Sequence, residues 1–222
     1  MLLRKRLERM ARRRDDDSGM SIVELITAMG IFTFVLVVFL AATANMARST
    51  GRNQVVSDTS TQLRTVFQRL DKEVRYASDI NMPGSAGGDI YLEYWVPANA
   101  ASGESMCVQW RYDTSENRLQ RRTWEQGDPS TVTSWTTMVT RLRNDLTSTA
   151  EQPFVVRLAG PSGGKVYLHQ RLEVYLDAGL GPGMKNAGSE LDVSFVAQNS
   201  STASVTNNGT SKVCLAGGVG RP

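Results

Sequence analysis

Hydrophobic side chains are concentrated in one uninterrupted run near the start of the chain. Between Met20 and Ala44 the only ionisable side chain is that of Glu24. The uncharged stretch Leu25–Ala44 is 20 residues long. As an α-helix, a stretch of this length spans about 30 Å, which matches the hydrocarbon core of a bilayer. The pattern therefore predicts a membrane-spanning helix, which we assign to residues 20–47.

Apolar residues continue at helical spacing after this run. They are Val56, Leu63, Val66, Phe67, Leu70, Val74 and Ala77. Charged residues lie mostly at positions between them, which predicts an amphipathic second half of the helix over residues 48–80. Gly51 marks a flexible point, and the stretch SDINMPG, residues 78–84, is expected to end the helix. The apolar stripe of this half needs a covering layer.

Short segments of alternating apolar and polar residues dominate residues 81–222. Strands are predicted at GDIYLEYWV, SMCVQWRY, NRLQRRTW, QPFVVRL, GKVYLHQRLEVYL and ELDVSFV, with hairpin turns at DTSEN and GPSGG. In the fifth segment one face is expected to hold Val166, Leu168, Leu172, Val174 and Leu176, interrupted by Gln170. Residues 198–211 are polar and predict a mobile loop. The fold class expected is α+β, with the long N-terminal helix packed against a C-terminal antiparallel β-sheet.

Charge is concentrated before the apolar run. The chain has 25 Lys and Arg against 22 Asp and Glu. Residues 1–19 hold seven basic and four acidic side chains, so they carry the net charge of +3, and the rest of the chain sums to zero. Positive charge beside a spanning helix stays in the cytoplasm, which predicts a cytoplasmic N-terminus and an external C-terminal domain. Nucleic-acid binding by the basic cluster is the alternative, but topology already accounts for the charge.

Residues that carry enzyme chemistry are sparse. The single histidine, His169, provides neither a base for a nucleophile elsewhere nor a His-rich metal site. Residues 177–192 are loop-like and acidic at both ends. They lack the alternating ligands of a recognisable Ca²⁺ loop, so a plain loop and a Ca²⁺ site both stay open. We expect a protein that is not an enzyme and needs no cofactor or metal.

The two cysteines, Cys107 and Cys214, both lie on the side of the membrane predicted to be external. An even number of cysteines in an oxidising compartment favours a disulfide between them. Two free buried thiols are the alternative.

The N-terminal features, taken in order, resemble the class III signal of type IV pilins and type II secretion pseudopilins. A basic leader ends at Gly19, the apolar Met20 follows, and Glu24 is the fifth residue after the junction. The stretches ELITAMGIF and LDKEVRYASDI are similar to J-type minor pseudopilins and PilW-like minor pilins. Two features depart from the family pattern: three aspartates precede the junction, and the apolar helix has no kinking proline.

The resemblance implies particular roles for the residues of this motif. A prepilin peptidase would cut between Gly19 and Met20, removing residues 1–19, and the new amino group of Met20 would be methylated. In a filament, the Glu24 carboxylate of one subunit would pair with the N-terminal amine of a neighbour, because two charges in an apolar setting are tolerated when paired. A carboxylate that snorkels to the headgroups is the alternative for Glu24.

The function expected from the resemblance is that of a minor pilin or pseudopilin. Such a subunit waits in the cytoplasmic membrane and then primes or caps a type IV pilus-like or type II secretion-like filament. Its partners would be the prepilin peptidase, other pilin-like subunits and an inner-membrane assembly platform, with no direct nucleic-acid binding. A single-pass membrane-anchored extracellular binding or adhesion domain that does not polymerise is the alternative from another class, and a major pilin is a third possibility.

Overall fold

The computed structural model describes residues 21–98, 103–181 and 184–214. The chain divides into two compact units, residues 1–50 and 51–222. Helix α1, Ile22–Arg75, contributes its first part to the first unit and its last part to the second. The proposed leader, with Gly19, and Met20 lie outside the described residues.

In the first unit, helix α1 exposes its side chains all round. Every residue from 21 to 50 is exposed, including the large apolar side chains from Ile22 to Leu40. The hydroxyls of Thr27, Thr33 and Thr50 donate to carbonyls four residues earlier, at 2.8–3.0 Å, so they need no water. The helix is long and apolar enough to cross a membrane.

The second unit is built mainly of β-strands. In chain order they are β1 (Asp79–Ile80), β2 (Gly84–Ala86), β3 (Asp89–Val96), β4 (Met106–Asp113), β5 (Arg118–Glu125), β6 (Thr136–Val139), β7 (Phe154–Arg157), β8 (Gly160–Ser162), β9 (Lys165–Tyr167), β10 (Arg171–Gly179) and β11 (Gly188–Val196). Short 3₁₀ helices lie at Pro129–Thr131, Thr149–Glu151, Lys185–Ala187 and Val205–Asn208.

These strands form antiparallel sheets. The first sheet has the order β1-β3-β4-β5-β6, with β2 also paired to β3; the second has the order β11-β10-β7, and β8 pairs with β9 as a separate hairpin. In the first sheet the register sets Leu92 opposite Trp110 and Trp110 opposite Arg121. These side chains therefore share one face, and their immediate neighbours along each strand lie on the other face.

The last part of helix α1 packs into a core shared with both sheets. The helix side chains in this core are those of Leu63, Val66, Leu70 and Val74, each at most 3 % exposed. Phe67 contacts Phe195 of β11, with ring centroids 5.6 Å apart. The predicted packing of the second helix half against an antiparallel sheet is therefore confirmed, and with it the α+β fold class.

The helix ends earlier than the sequence predicts. Helix α1 stops at Arg75, and Asp79 and Ile80 form strand β1 beside β3 rather than a last helical turn. Pro83 and Gly84, the last residues of the stretch predicted to end the helix, come after strand β1. Pairing with β3 satisfies the backbone of this segment, as when the Ser78 amide donates to the Trp95 carbonyl at 3.0 Å.

The strand predicted over residues 164–176 is two strands with a break at 168–170. Val166 and Leu168 are 71 % and 68 % exposed, so they do not share the buried face of β10 as predicted. Gln170 is fully buried at the break, where its Oε1 accepts a hydrogen bond from the Ile80 amide at 3.0 Å. Because a buried amide needs polar partners, the alternation does not continue through this residue. His169 lies in this break rather than in a strand.

Residues 198–211, predicted as a mobile loop, are instead fastened to the end of helix α1 and to strand β1. The Gln198 amide donates to the Arg75 carbonyl at 2.9 Å, and the Thr206 amide donates to Asp79 Oδ1 at 3.0 Å. Thr206 is fully buried. The polar composition of this segment therefore serves internal hydrogen bonds as well as solvent contact.

Candidate functional site

Glu24 lies in the first turn of helix α1, where the helix dipole favours a carboxylate. The backbone is already helical here, since the Leu25 amide donates to the Ser21 carbonyl at 3.0 Å. The Glu24 side chain is exposed, and it makes no hydrogen bond or ion pair with any residue in the described part of the chain. The helix therefore presents one charge, without a partner in those residues, at the start of its exposed apolar part.

The other residues of the predicted junction cannot be placed. Gly19 and Met20 lie outside the described residues, so the proposed cleavage and methylation sites stay predictions. The spacing between Met20 and Glu24 is a property of the sequence alone.

Cys107 and Cys214 form a disulfide, as predicted, with their Cα atoms 5.6 Å apart. The bond fastens what we call the C-terminal strap, residues 212–214, to strand β4. Asn81 holds the same strap through its side chain, which donates to the Val213 carbonyl at 3.0 Å and accepts from the Val213 amide at 2.9 Å. The buried ring of Trp124 packs against the two cysteines. The strap therefore lies against one part of the face of the first sheet that points away from the helix.

A row of polar side chains crosses the same outer face. Glu93 is fully buried there and accepts hydrogen bonds from Gln109 Nε2 at 3.0 Å and Asn81 Nδ2 at 3.2 Å. Gln109 in turn accepts from Arg122 Nε at 2.7 Å. Burial lowers the pKa of Arg122, and its guanidinium stacks on the Trp135 ring at 4.3 Å. These groups satisfy one another, so the row holds the outer face together.

An ion-pair cluster joins helix α1 to the inner face of the first sheet. Glu73 accepts from Arg121 Nη2 and from the Tyr94 hydroxyl, both at 2.6 Å. The same hydroxyl accepts from Trp110 Nε1 at 2.9 Å. Burial, and next the nearby Glu73 charge, raise the pKa of Tyr94 well above its ordinary value. We call Glu73, Arg121 and Tyr94 the helix latch, because they join three separate elements. No feature of the sequence pattern singled them out.

The acidic segment 177–192 is organised by an arginine. Arg143 Nε donates to Asp177 Oδ1 at 2.9 Å, and Nη1 donates to the carbonyls of Leu180, Gly181 and Met184 at 2.8–3.2 Å. A carboxylate and carbonyl oxygens are the ligands that Ca²⁺ would use, and here a protein cation uses them. Among the described residues, no group of three or more His, Cys, Asp or Glu side chains is arranged to hold a metal ion.

Close backbone packing explains how the Arg143 guanidinium reaches these oxygens. Gly179 of β10 pairs with Gly188 of β11. A Cβ atom at Gly188 would lie 2.7 Å from Arg143 Nη2 and would collide with the Ala178 carbonyl. The cross-strand glycine pair therefore leaves the space that the guanidinium fills.

One long N-terminal apolar helix followed by a β-sheet region is pilin-like in general layout. No family model, no curated protein and no solved structure matches the chain.

Proposed function

We propose that the chain is a minor pilin or pseudopilin, a structural subunit that primes or caps a type IV pilus-like or type II secretion-like filament. One observation carries the proposal. Helix α1 combines a fully exposed apolar part, with the lone carboxylate of Glu24 in its first turn, and a last part that is buried in a disulfide-bonded β-domain. The first part supports anchoring and assembly. The β-domain is the part that would distinguish this subunit from others in the filament.

The exposed apolar part needs a cover at every stage. In the membrane, lipid chains cover it; in a filament, the apolar helices of other subunits would replace the lipid. A lone charge at the centre of a spanning helix costs roughly 2.5–3.5 kcal/mol. Glu24 lies near the end of the apolar part rather than at its centre, so the isolated subunit bears a smaller cost, which falls further when a cation lies beside Glu24.

Processing would supply the cation. Cleavage after Gly19 by a prepilin peptidase leaves an α-amino group on Met20, and methylation keeps its positive charge. The Glu24 carboxylate of one subunit then pairs with this amine on a neighbour. The partners proposed are this peptidase, other pilin-like subunits and an inner-membrane assembly platform. The subunit starts as a single-pass protein of the cytoplasmic membrane, with its C-terminal domain outside.

Substitution of Glu24 tests the proposal. Glu24→Ala removes the cost in lipid but leaves a neighbour's amine without a partner. Breaking a buried pair costs about 3–5 kcal/mol, which is more than a hundredfold in incorporation at about 1.4 kcal/mol per tenfold. We expect normal membrane levels and normal removal of residues 1–19, with loss of co-purification with the other pilin-like subunits. Thr27→Ala, one turn further along the exposed helix, is the matched control and should assemble. Wild-type assembly of Glu24→Ala would refute the proposed pairing.

Intact-mass measurement of membrane-extracted protein separates this function from its alternative. The proposal requires a mass that begins at Met20 and carries one methyl group. If residues 1–19 are retained in cells that contain the peptidase, the chain is instead a single-pass anchored binding domain that does not polymerise.

A further inference from the structure

A cleft of about 400 Å³ lies between helix α1 and the first sheet, within residues 51–222. Its floor is apolar and comes from Val96 at the end of β3 and from Met106 and Val108 of β4. Its helix side includes Gln68 and Lys72. The volume falls in the range of protein sites that hold a small ligand or a large side chain. We call it the α1–β4 cleft, and neither anchoring nor the pairing of Glu24 uses it.

The charge at the base of the cleft is already balanced. Glu73 and Arg121, about 16 % and 15 % exposed, pair with each other in the helix latch. Because the Glu73 oxygens accept from Arg121 and Tyr94, this carboxylate has little capacity left for the rim. The latch therefore closes the base of the cleft without adding net charge.

The helix side of the rim carries positive charge. Lys72 is exposed and makes no hydrogen bond or ion pair within residues 21–98, 103–181 and 184–214. Among the described residues, Arg69, with 45 % of its side chain exposed, has one long ion pair, with Glu73 at 3.8 Å. Glu104 lies among the lining residues too, and the three basic and two acidic lining groups sum to +1. An occupant with an apolar body and a carboxylate beside the helix complements this arrangement.

We propose that the α1–β4 cleft binds an acidic peptide segment of a partner protein. The segment places an aromatic or aliphatic side chain over Met106 and Val108 and a carboxylate beside Lys72. The apolar floor contributes the burial of the side chain, and the cationic rim selects the sign of the flanking charge. Every residue of the cleft belongs to the second unit, so the proposal does not depend on filament assembly.

The test uses two tetrapeptides with blocked ends, EWLE and KWLK, which share the apolar centre and differ in charge. The full chain is held in nanodiscs of neutral phosphatidylcholine, and its methionine methyl groups are followed by NMR. The Met106 signal is assigned with Met106→Leu. We expect EWLE to shift this signal saturably, at about 1 mM or below, and to bind about tenfold more tightly than KWLK.

Three variants of the protein test the roles of individual residues in the cleft. Lys72→Glu should reverse the preference between the two peptides, a gain for KWLK that mere unfolding cannot produce. Gln68→Trp, at an exposed lining position, should fill the cleft and abolish binding of both. Arg64→Glu, on an exposed part of the same helix outside the cleft lining, is the matched control and should leave the preference for EWLE unchanged.

Several results would overturn the proposal. They are equal binding of both peptides, no saturable shift of the Met106 signal, and loss of the preference in Arg64→Glu as large as in Lys72→Glu. A Met106 shift caused by anionic nanodisc lipid without peptide would assign the cleft to lipid. A shift that grows with protein concentration alone would assign it to a second copy of the chain.

Discussion

Removal of the Cys107–Cys214 disulfide provides a quantitative test of the β-domain. The perturbation is the double substitution Cys107→Ala and Cys214→Ala, which leaves no thiol to form other bonds. Cys107 is fully buried and Cys214 is 6 % exposed. The bond joins positions 107 residues apart, so its loss releases most of the β-domain from one covalent loop.

The expected loss follows from the size of that loop. Chain-entropy estimates give about 4.7 kcal/mol for a loop of roughly 100 residues, and removal of native disulfides from small domains typically costs about 2–5 kcal/mol. The strap keeps its two hydrogen bonds to Asn81, each contributing about 0.5–1.5 kcal/mol. The double variant should therefore stay folded but lose at least about 2 kcal/mol of unfolding free energy.

Urea unfolding of the full chain in nanodiscs measures this loss. Tryptophan fluorescence is a suitable signal because the buried Trp124 ring packs against the disulfide. Wild-type protein treated with a reductant is the matched control, and its urea midpoint should fall to that of the double variant. A loss below about 1 kcal/mol, or a reduced wild type as stable as the oxidised one, would refute this account of the strap.

Three further substitutions test other parts of the domain. Glu73→Gln leaves the largely buried Arg121 without its charge partner and should cost about 1.5–3 kcal/mol in urea unfolding. Gly188→Ala forces a Cβ into the Ala178 carbonyl and Arg143 and should cost about 1–3 kcal/mol in the same assay. For Asp113, burial opposes ionisation, but hydrogen bonds from Ser115, Glu116 and Arg118 outweigh it and lower the pKa. Its stabilisation is therefore complete above the unfolded-state pKa of about 3.9 and is lost as pH falls through the folded-state pKa. The difference in unfolding free energy between wild type and Asp113→Asn should shrink over that window.

Two of these predictions have a control variant in the same element, and the third has an outcome that would contradict it. Asp71→Asn breaks an exposed pair with Arg75 on helix α1 and should leave the urea midpoint unchanged, unlike Glu73→Gln. Ser194→Ala changes an exposed position of β11 and should be tolerated, unlike Gly188→Ala. A stability gap between wild type and Asp113→Asn that stays constant from pH 6 to the acid limit would contradict the assigned role of that carboxylate.

Some of the proposed site is readable from the sequence because it depends on neighbours along the chain. A helix that is covered by lipid needs only sufficient length and an apolar composition. The run after Met20 has both, so the sequence predicts an exposed apolar helix there. The position of Glu24 relative to Gly19 is a matter of spacing. With two cysteines in the chain, a single intramolecular pairing is possible, and the structure confirms it. Alternation predicts most strands because a sheet with two different faces imposes a period of two.

The sequence alone gives less guidance where one polar group needs a distant partner. Glu73 and Arg121 are 48 residues apart, and many other acidic and basic residues fit a pairing rule equally well. Gln170 interrupts a strand pattern, but only the folded chain brings the Ile80 amide to its side chain. The polar stretch 198–211 has the composition of a loop, although Thr206 is buried against Asp79. Composition cannot distinguish a side chain hydrogen-bonded to water from one hydrogen-bonded to protein.

The apolar character of the first part of the helix, most of the alternating strands and the candidate assembly residue were therefore determined by the sequence itself, because each follows from contact with lipid, from a short-range period or from spacing along the chain. The helix latch, the arginine that fills segment 177–192, the end of helix α1 at Arg75 and the α1–β4 cleft were decided only by the tertiary structure. Each of them depends on which residues meet across a long separation in the chain, and hydrogen bonds between specific partners, unlike hydrophobic burial, leave no periodic pattern along it.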